Sequence, residues 1–147
     1  GLAAGEGNGA KVGEKVKVKG AVYKVTVSEA GDHQVSFVKA AKKAKSVTIP
    51  KTVKAGDITY QVTAIEKNAL KGSQVKKVVI SQNIKKIGAK AFADCKKLKN
   101  IVVKSKQLKS IGKQAFAGVS KKAVCKVPAG CNYKKQMEKA GYQGKLK

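Results

Sequence analysis

Residues 78–100 read VVISQNIKKIGAKAFADCKKLKN, and residues 101–122 read IVVKSKQLKSIGKQAFAGVSKK. Laid one under the other with a one-residue gap ahead of the isoleucine, Ile87 falls on Ile111, Ala91 on Ala115 and Phe92 on Phe116. Upstream, VTIPKTV at residues 47–53 and YQVTAIEKNALKG at residues 60–72 keep the same order, with Ile65, Ala69 and Leu70 at the equivalent places. The isoleucines are 22 and then 24 residues apart. That period is too short for paired-helix repeats and fits one coil of a strand-bearing solenoid. One coil cannot bury its apolar side alone, whereas stacked coils bury it in ladders of equivalent side chains.

Within each coil, Val47/Ile49, Val78/Ile80 and Ile101/Val103 alternate with Thr48, Val79 and Val102. Alternation with a period of two over short β-branched runs predicts strands with one buried face. The I-x-x-x-A-[LF] segment that follows sets Ile and Ala one helical turn apart, and is read as a short turn of helix or an irregular return leg. Ile65, Ile87, Ile111, Phe92 and Phe116 are the expected core.

VTIPKTV, the thrice-repeated I-x-x-x-A-[LF] and above all IGAKAFADCKKLKNIVV resemble the BspA-type leucine-rich repeat, over roughly residues 46–128. The resemblance implies an α/β, strand-rich, short right-handed solenoid. It further implies secretion or display on a bacterial cell surface, a role in adhesion or recognition of a protein or glycan ligand, and no enzyme activity. The consensus proline after I-x-I stands at Pro50 and Pro128 but is Ser81 and Lys104 in the middle coils. The consensus cysteine is kept at Cys95, and GDITYQ at residues 56–61 lengthens the first coil.

Composition agrees with an aliphatic core, since aromatics are 5% of the chain and Trp is absent. Thirty-three lysines against eight acidic residues give a formal net charge of +25, far beyond the ~2–8 units that keep a small domain soluble. Such charge points to polyanionic partners, such as acidic cell-wall polymers or sulfated and sialylated host glycans. The absence of arginine argues against sequence-specific nucleic-acid readout, which leans on a planar bidentate guanidinium. No apolar run is long enough for a transmembrane segment.

The chain divides into a Gly-rich linker at residues 1–10, a β-rich N-terminal cap at 11–46, the solenoid at 47–128 and a C-terminal cap at 129–147. In the N-terminal cap, KVKVKG, AVYKVTV and HQVSFV predict two or three antiparallel strands. In the C-terminal cap, Asn132 as N-cap, Tyr133 and Met137 on one face and Gly141 as stop predict a short helix.

No catalytic or cofactor-binding residues are assigned. His33 is the sole histidine and has no partner spacing, and the carboxylates are scattered singly, without the pairing that general acid–base work needs. Gly5-Glu6-Gly7-Asn8-Gly9-Ala10 matches a dinucleotide-binding pattern, but no strand precedes it. Cys95, Cys125 and Cys131 lack metal-binding spacing, so no metal is expected. Cys95 and Cys125 read as buried thiols, and a Cys125–Cys131 bridge is sterically conceivable only if Cys125 turns outward. The candidate ligand-binding row is the outward side of the strands, Thr48, Val79, Val102 and Lys126. The candidate polyanion-binding ridge is Lys76, Lys99 and Lys121, each placed shortly before a strand; its bland counterpart is a solvated face.

Overall fold

The computed structural model describes residues 9–147. Alternating apolar residues near the N-terminus form β1 (Lys15–Val18), β2 (Ala21–Glu29) and β3 (Asp32–Lys39), paired antiparallel in that order. Val16, Tyr23, Val25, Val35 and Phe37 of these strands are buried. The segment is continuous with the repeats, because β3 pairs in parallel with a later strand. Of the expected linker, residues 1–8 lie outside the described residues, as does most of the glycine-rich pattern. Ala10 is buried, and its N–H donates to the Tyr60 hydroxyl at 2.8 Å.

The repeats then contribute β4 (Ser46–Ile49), β5 (Thr52–Ala55), β6 (Ile58–Ile65), β7 (Lys77–Ile80), β8 (Lys86–Ile87), β9 (Asn100–Val103), β10 (Ser110–Ile111) and β11 (Val124–Lys126). A six-residue helix, α1 (Lys134–Lys139), and β12 (Lys145–Leu146) follow. One sheet runs β12-β11-β9-β7-β4, all parallel, one strand per coil for five turns. The other runs β1-β2-β3-β6-β8-β10, with β5 pairing β6. Val47, Val78, Ile101 and Cys125 occupy one inward row, and Ile49, Ile80 and Val103 the next. All seven are buried. The insertion at residues 56–61 forms the turn after β5 and the start of β6, in a hairpin with β5, so it adds width to the first coil as sheet.

The return leg is irregular, not helical. Asn68, Lys90 and Gln114 have φ of 62°, 57° and 57°, and Gly72, Asp94 and Gly118 have 70°, 58° and 80°. These left-handed residues recur once per coil at two fixed places. Between them, the N–H groups of Asn68, Leu70 and Gly72 donate to the carbonyls of Ala89, Ala91 and Ala93 at 3.0, 2.7 and 2.8 Å. Lys90, Phe92 and Asp94 donate to Lys113, Ala115 and Ala117 in the same way, at 3.0, 2.8 and 2.7 Å. The leg thus satisfies its backbone between coils, as buried polar groups require. An α-helix would keep those bonds within one coil.

Stacking this close requires glycine where legs begin. A Cβ on Gly88 would stand 2.4 Å from the Lys67 backbone nitrogen, and one on Gly112 would stand 2.4 Å from that of Ala89. Ile65, Ile87, Phe92 and Phe116 are buried as expected, but Ile111 is only partly so. Among the described residues β10 is the last strand of its sheet, and no further strand there covers the outer side of Ile111. At the C-terminal end, α1 begins two residues later than Asn132, with Tyr133 as N-cap; the Asn132 side-chain oxygen accepts from the Lys134 N–H at 3.2 Å. Met137 and Tyr133 are buried, and β12 adds a strand that the sequence reading did not foresee.

A candidate ligand-binding face

Parallel pairing in strict register places Thr48, Val79, Val102 and Lys126 side by side. Neighbours in such a row are ~4.8 Å apart. Thr48 and Lys126 are exposed, whereas Val79 and Val102 are half-buried. The row therefore exists as one strip with an apolar centre. Beside it runs a second outward row, Ser46, Lys77, Asn100, Val124 and Lys145, which sequence reasoning passed over. The signal was present: residues two positions before Thr48, Val79 and Val102 share their side of the strand. Lys77 is two residues before Val79 on β7 and Lys126 stands beside Val102, so these two lysines border the valines with positive charge.

The lysine ridge is arranged differently from the sequence expectation. Lys99 N–H donates to the Lys76 carbonyl at 3.0 Å and Lys76 N–H to the Lys45 carbonyl at 2.7 Å, so the stacked series is Lys45, Lys76 and Lys99. Lys121 is not in it. Val124 stands opposite Asn100, so the place next to Lys99 belongs to Ala123, which is buried. All three lysines of the stacked series are exposed. A second stack joins Lys85 and Lys109, linked by a 2.8 Å backbone bond.

The three cysteines are free thiols, so the conceivable Cys125–Cys131 bridge is not formed. Cys125 keeps its inward place in the ladder, with Sγ 3.8 Å from the Met137 sulfur. Burial pushes its thiol up to about 12, and burial likewise raises that of Cys95, whose Sγ donates to the Leu70 carbonyl at 2.9 Å. Both sit on apolar stacks and are poor nucleophiles. His33 packs edge-on against Tyr60, with ring centroids 5.6 Å apart. Among the described residues, no group of three or more His, Cys, Asp or Glu side chains could hold a metal ion. Among the same residues, no helix is long and apolar enough to cross a membrane.

The residue pattern of the BspA type leucine rich repeat region matches residues 34–137 in six copies. Comparison with curated proteins finds no match. Among solved structures, a leucine-rich repeat protein from Bacteroides capillosus superposes with a TM-score of 0.67 at 20% identity, covering 90% of this chain and 98% of that one. A leucine rich cell surface protein from Faecalibacterium prausnitzii gives 0.63 at 19% identity, covering 81% and 38%. A leucine-rich repeat protein from Bacteroides ovatus gives 0.52 at 23%, covering 75% and 36%. The chain spans little more than a third of the latter two. These likenesses establish a shared fold.

Proposed function

Since the chain belongs to the BspA-type leucine-rich repeat family, we propose that it is a non-enzymatic recognition module, secreted or displayed on a bacterial cell surface, that binds a protein or glycan ligand on the outward face of its parallel sheet. The observation that carries this reading is the strip Thr48–Val79–Val102–Lys126, whose two half-buried valines are flanked by lysines. Repeat solenoids present such extended surfaces for binding. A right-handed coil and an N-terminal cap are part of the same proposal. The cell-surface description of the Faecalibacterium structure supports the location. Capture from host extracellular proteins tests the reading. A saturable, salt-resistant partner lost on Val79→Asp plus Val102→Asp supports it, and a partner indifferent to both changes overturns the assignment of the strip.

A second reading is favoured by the Lys45, Lys76 and Lys99 stack: a structural, wall-associated domain held to acidic envelope polymers by charge. It predicts retention on teichoic acid that disappears as salt rises. The same retention should be indifferent to the two valine substitutions.

A further inference from the structure

β4 is the end strand of its sheet, and among the described residues no strand pairs with it on the side away from β7. On the β7 side, the carbonyls of Lys45 and Ile49 accept from Lys76 and Ser81. Successive strand residues turn their N–H and C=O groups to opposite edges. Ser46 and Thr48 therefore aim theirs at the open edge, and both residues are exposed. This edge borders a groove of about 510 Å³ whose apolar wall includes Val18, Tyr23, Ala44 and Val53. Lys19 and Lys54 also line it, and no carboxylate does.

Natural sheets blunt or cover such edges, since an open edge is a template for another strand. Two occupants fit the backbone geometry: a second copy of this chain and an extended segment of another protein. Charge decides between them. Each copy carries +25, so self-association brings like charges together, whereas an acidic segment is drawn in. We propose that the groove binds an extended acidic segment of a partner protein, which adds to β4 as a strand. Its backbone pairs with Ser46 and Thr48, alternate apolar side chains rest on the wall formed by Val18, Tyr23 and Val53, and its carboxylates meet Lys19 and Lys54. Backbone pairing supplies affinity in this mode and alternate side chains supply specificity. The groove is a separate surface from the outward strip and shares only Thr48 with it.

The test uses the whole chain and a short fluorescent peptide of alternating valine and glutamate, followed by anisotropy. Two further peptides carry N-methyl groups on one or the other alternate set of backbone amides. Saturable binding of the parent peptide is expected. One methylation pattern should weaken it by about tenfold, the loss of roughly two hydrogen bonds, while the other is tolerated because its methyls face solvent. Thr48→Pro should weaken binding by a similar factor. It removes only an N–H aimed at the open edge, a position where strands accept proline, so far-UV circular dichroism should be unchanged. Lys19→Glu with Lys54→Glu should weaken binding without touching β4, and Val79→Asp with Val102→Asp should leave it intact. The proposal is overturned if the parent peptide does not bind, if both methylated peptides and the Thr48→Pro protein bind as tightly as their parents, or if the protein self-associates through this edge instead.

Discussion

Phe92 and Phe116 lie one above the other in successive coils, their ring centroids 5.2 Å apart and their planes 11° from parallel. Leu70 holds the same place in the coil before, and Tyr142 continues the stack edge-on to Phe116 at 5.8 Å. Removing one ring leaves a void bounded by both neighbours, which the stacked backbone cannot collapse to fill. Phe92→Ala should cost ~3–5 kcal/mol, the range for emptying a buried aromatic site. Chemical denaturation measures it, and a loss under ~1 kcal/mol would contradict the ladder.

Gly88→Ala should destabilise the fold although it adds only a methyl group. The new Cβ would meet the Lys67 nitrogen at 2.4 Å, the Glu66 carbonyl carbon at 2.7 Å and the Ile65 oxygen at 2.9 Å, all of them backbone atoms. Relief requires the two coils to separate, which weakens the 2.8 Å bond from the Gly88 N–H to the Ile65 carbonyl. Overpacking of this kind costs ~1–3 kcal/mol. Gly31→Ala is a useful contrast, because nothing lies within 4 Å of its Cβ position and only its φ of +79° opposes the change. Its loss, measured by the same denaturation, should be smaller, about 1 kcal/mol.

Neutralising Lys45, Lys76 and Lys99 together with glutamine should weaken binding of an acidic polymer such as polyglutamate more than neutralising Lys11, Lys15 and Lys17, which lie outside both the stack and the groove. The difference should be on the order of tenfold at low salt, because each exposed charge contact is worth no more than ~1 kcal/mol, and it should shrink as salt rises. Titration at two salt concentrations reads it. Equal losses would mean that net charge alone attracts the polymer.

Alkaline pH should remove stability through Tyr23. Burial pushes its hydroxyl up to about 12 in the folded chain, whereas an unfolded tyrosine ionises near ~10. The folded state therefore holds the proton more tightly. Its contribution is complete below the unfolded value and is lost as pH rises through the folded one. Tyr23→Phe lacks that decline, so wild type should lose stability relative to it between those two values. Cys125 and Tyr142, whose ionisation burial also opposes, are present in both proteins and act on both alike. Parallel denaturation curves for the two proteins across that range would show that Tyr23 ionises alike in both states.

The strands and the buried ladder were legible in residues 47–111 because both are local patterns. A period of two sorts a strand's faces, and the recurrence of Ile, Ala and Phe fixes which residues share a row. The candidate strip Thr48, Val79, Val102 and Lys126 was legible for the same reason. Family membership followed from those repeated residues as well. The return leg was not decided by spacing, since Ile and Ala four apart suit a helical turn as well as an irregular leg. Only hydrogen bonding between neighbouring coils, with left-handed residues such as Lys90 and Asp94, selects the irregular form.

The spacing set Lys76 beside Lys99, but the full membership of the lysine stack and the open edge belong to the tertiary structure. Gly72 is five residues before Lys77, whereas Asp94 is six before Asn100, although each pair occupies equivalent places in its coil. That difference makes Lys76 and Lys99 neighbours; the next leg, from Gly118 to Val124, is again six residues, which sets Ala123 beside Lys99 and leaves Lys121 outside, while Lys45 joins through its pairing with Lys76. The composition established that the chain is strongly basic. Which charges stand in line, and which strand keeps an unpaired edge, depends on contacts between residues far apart in sequence, and no local pattern encodes those.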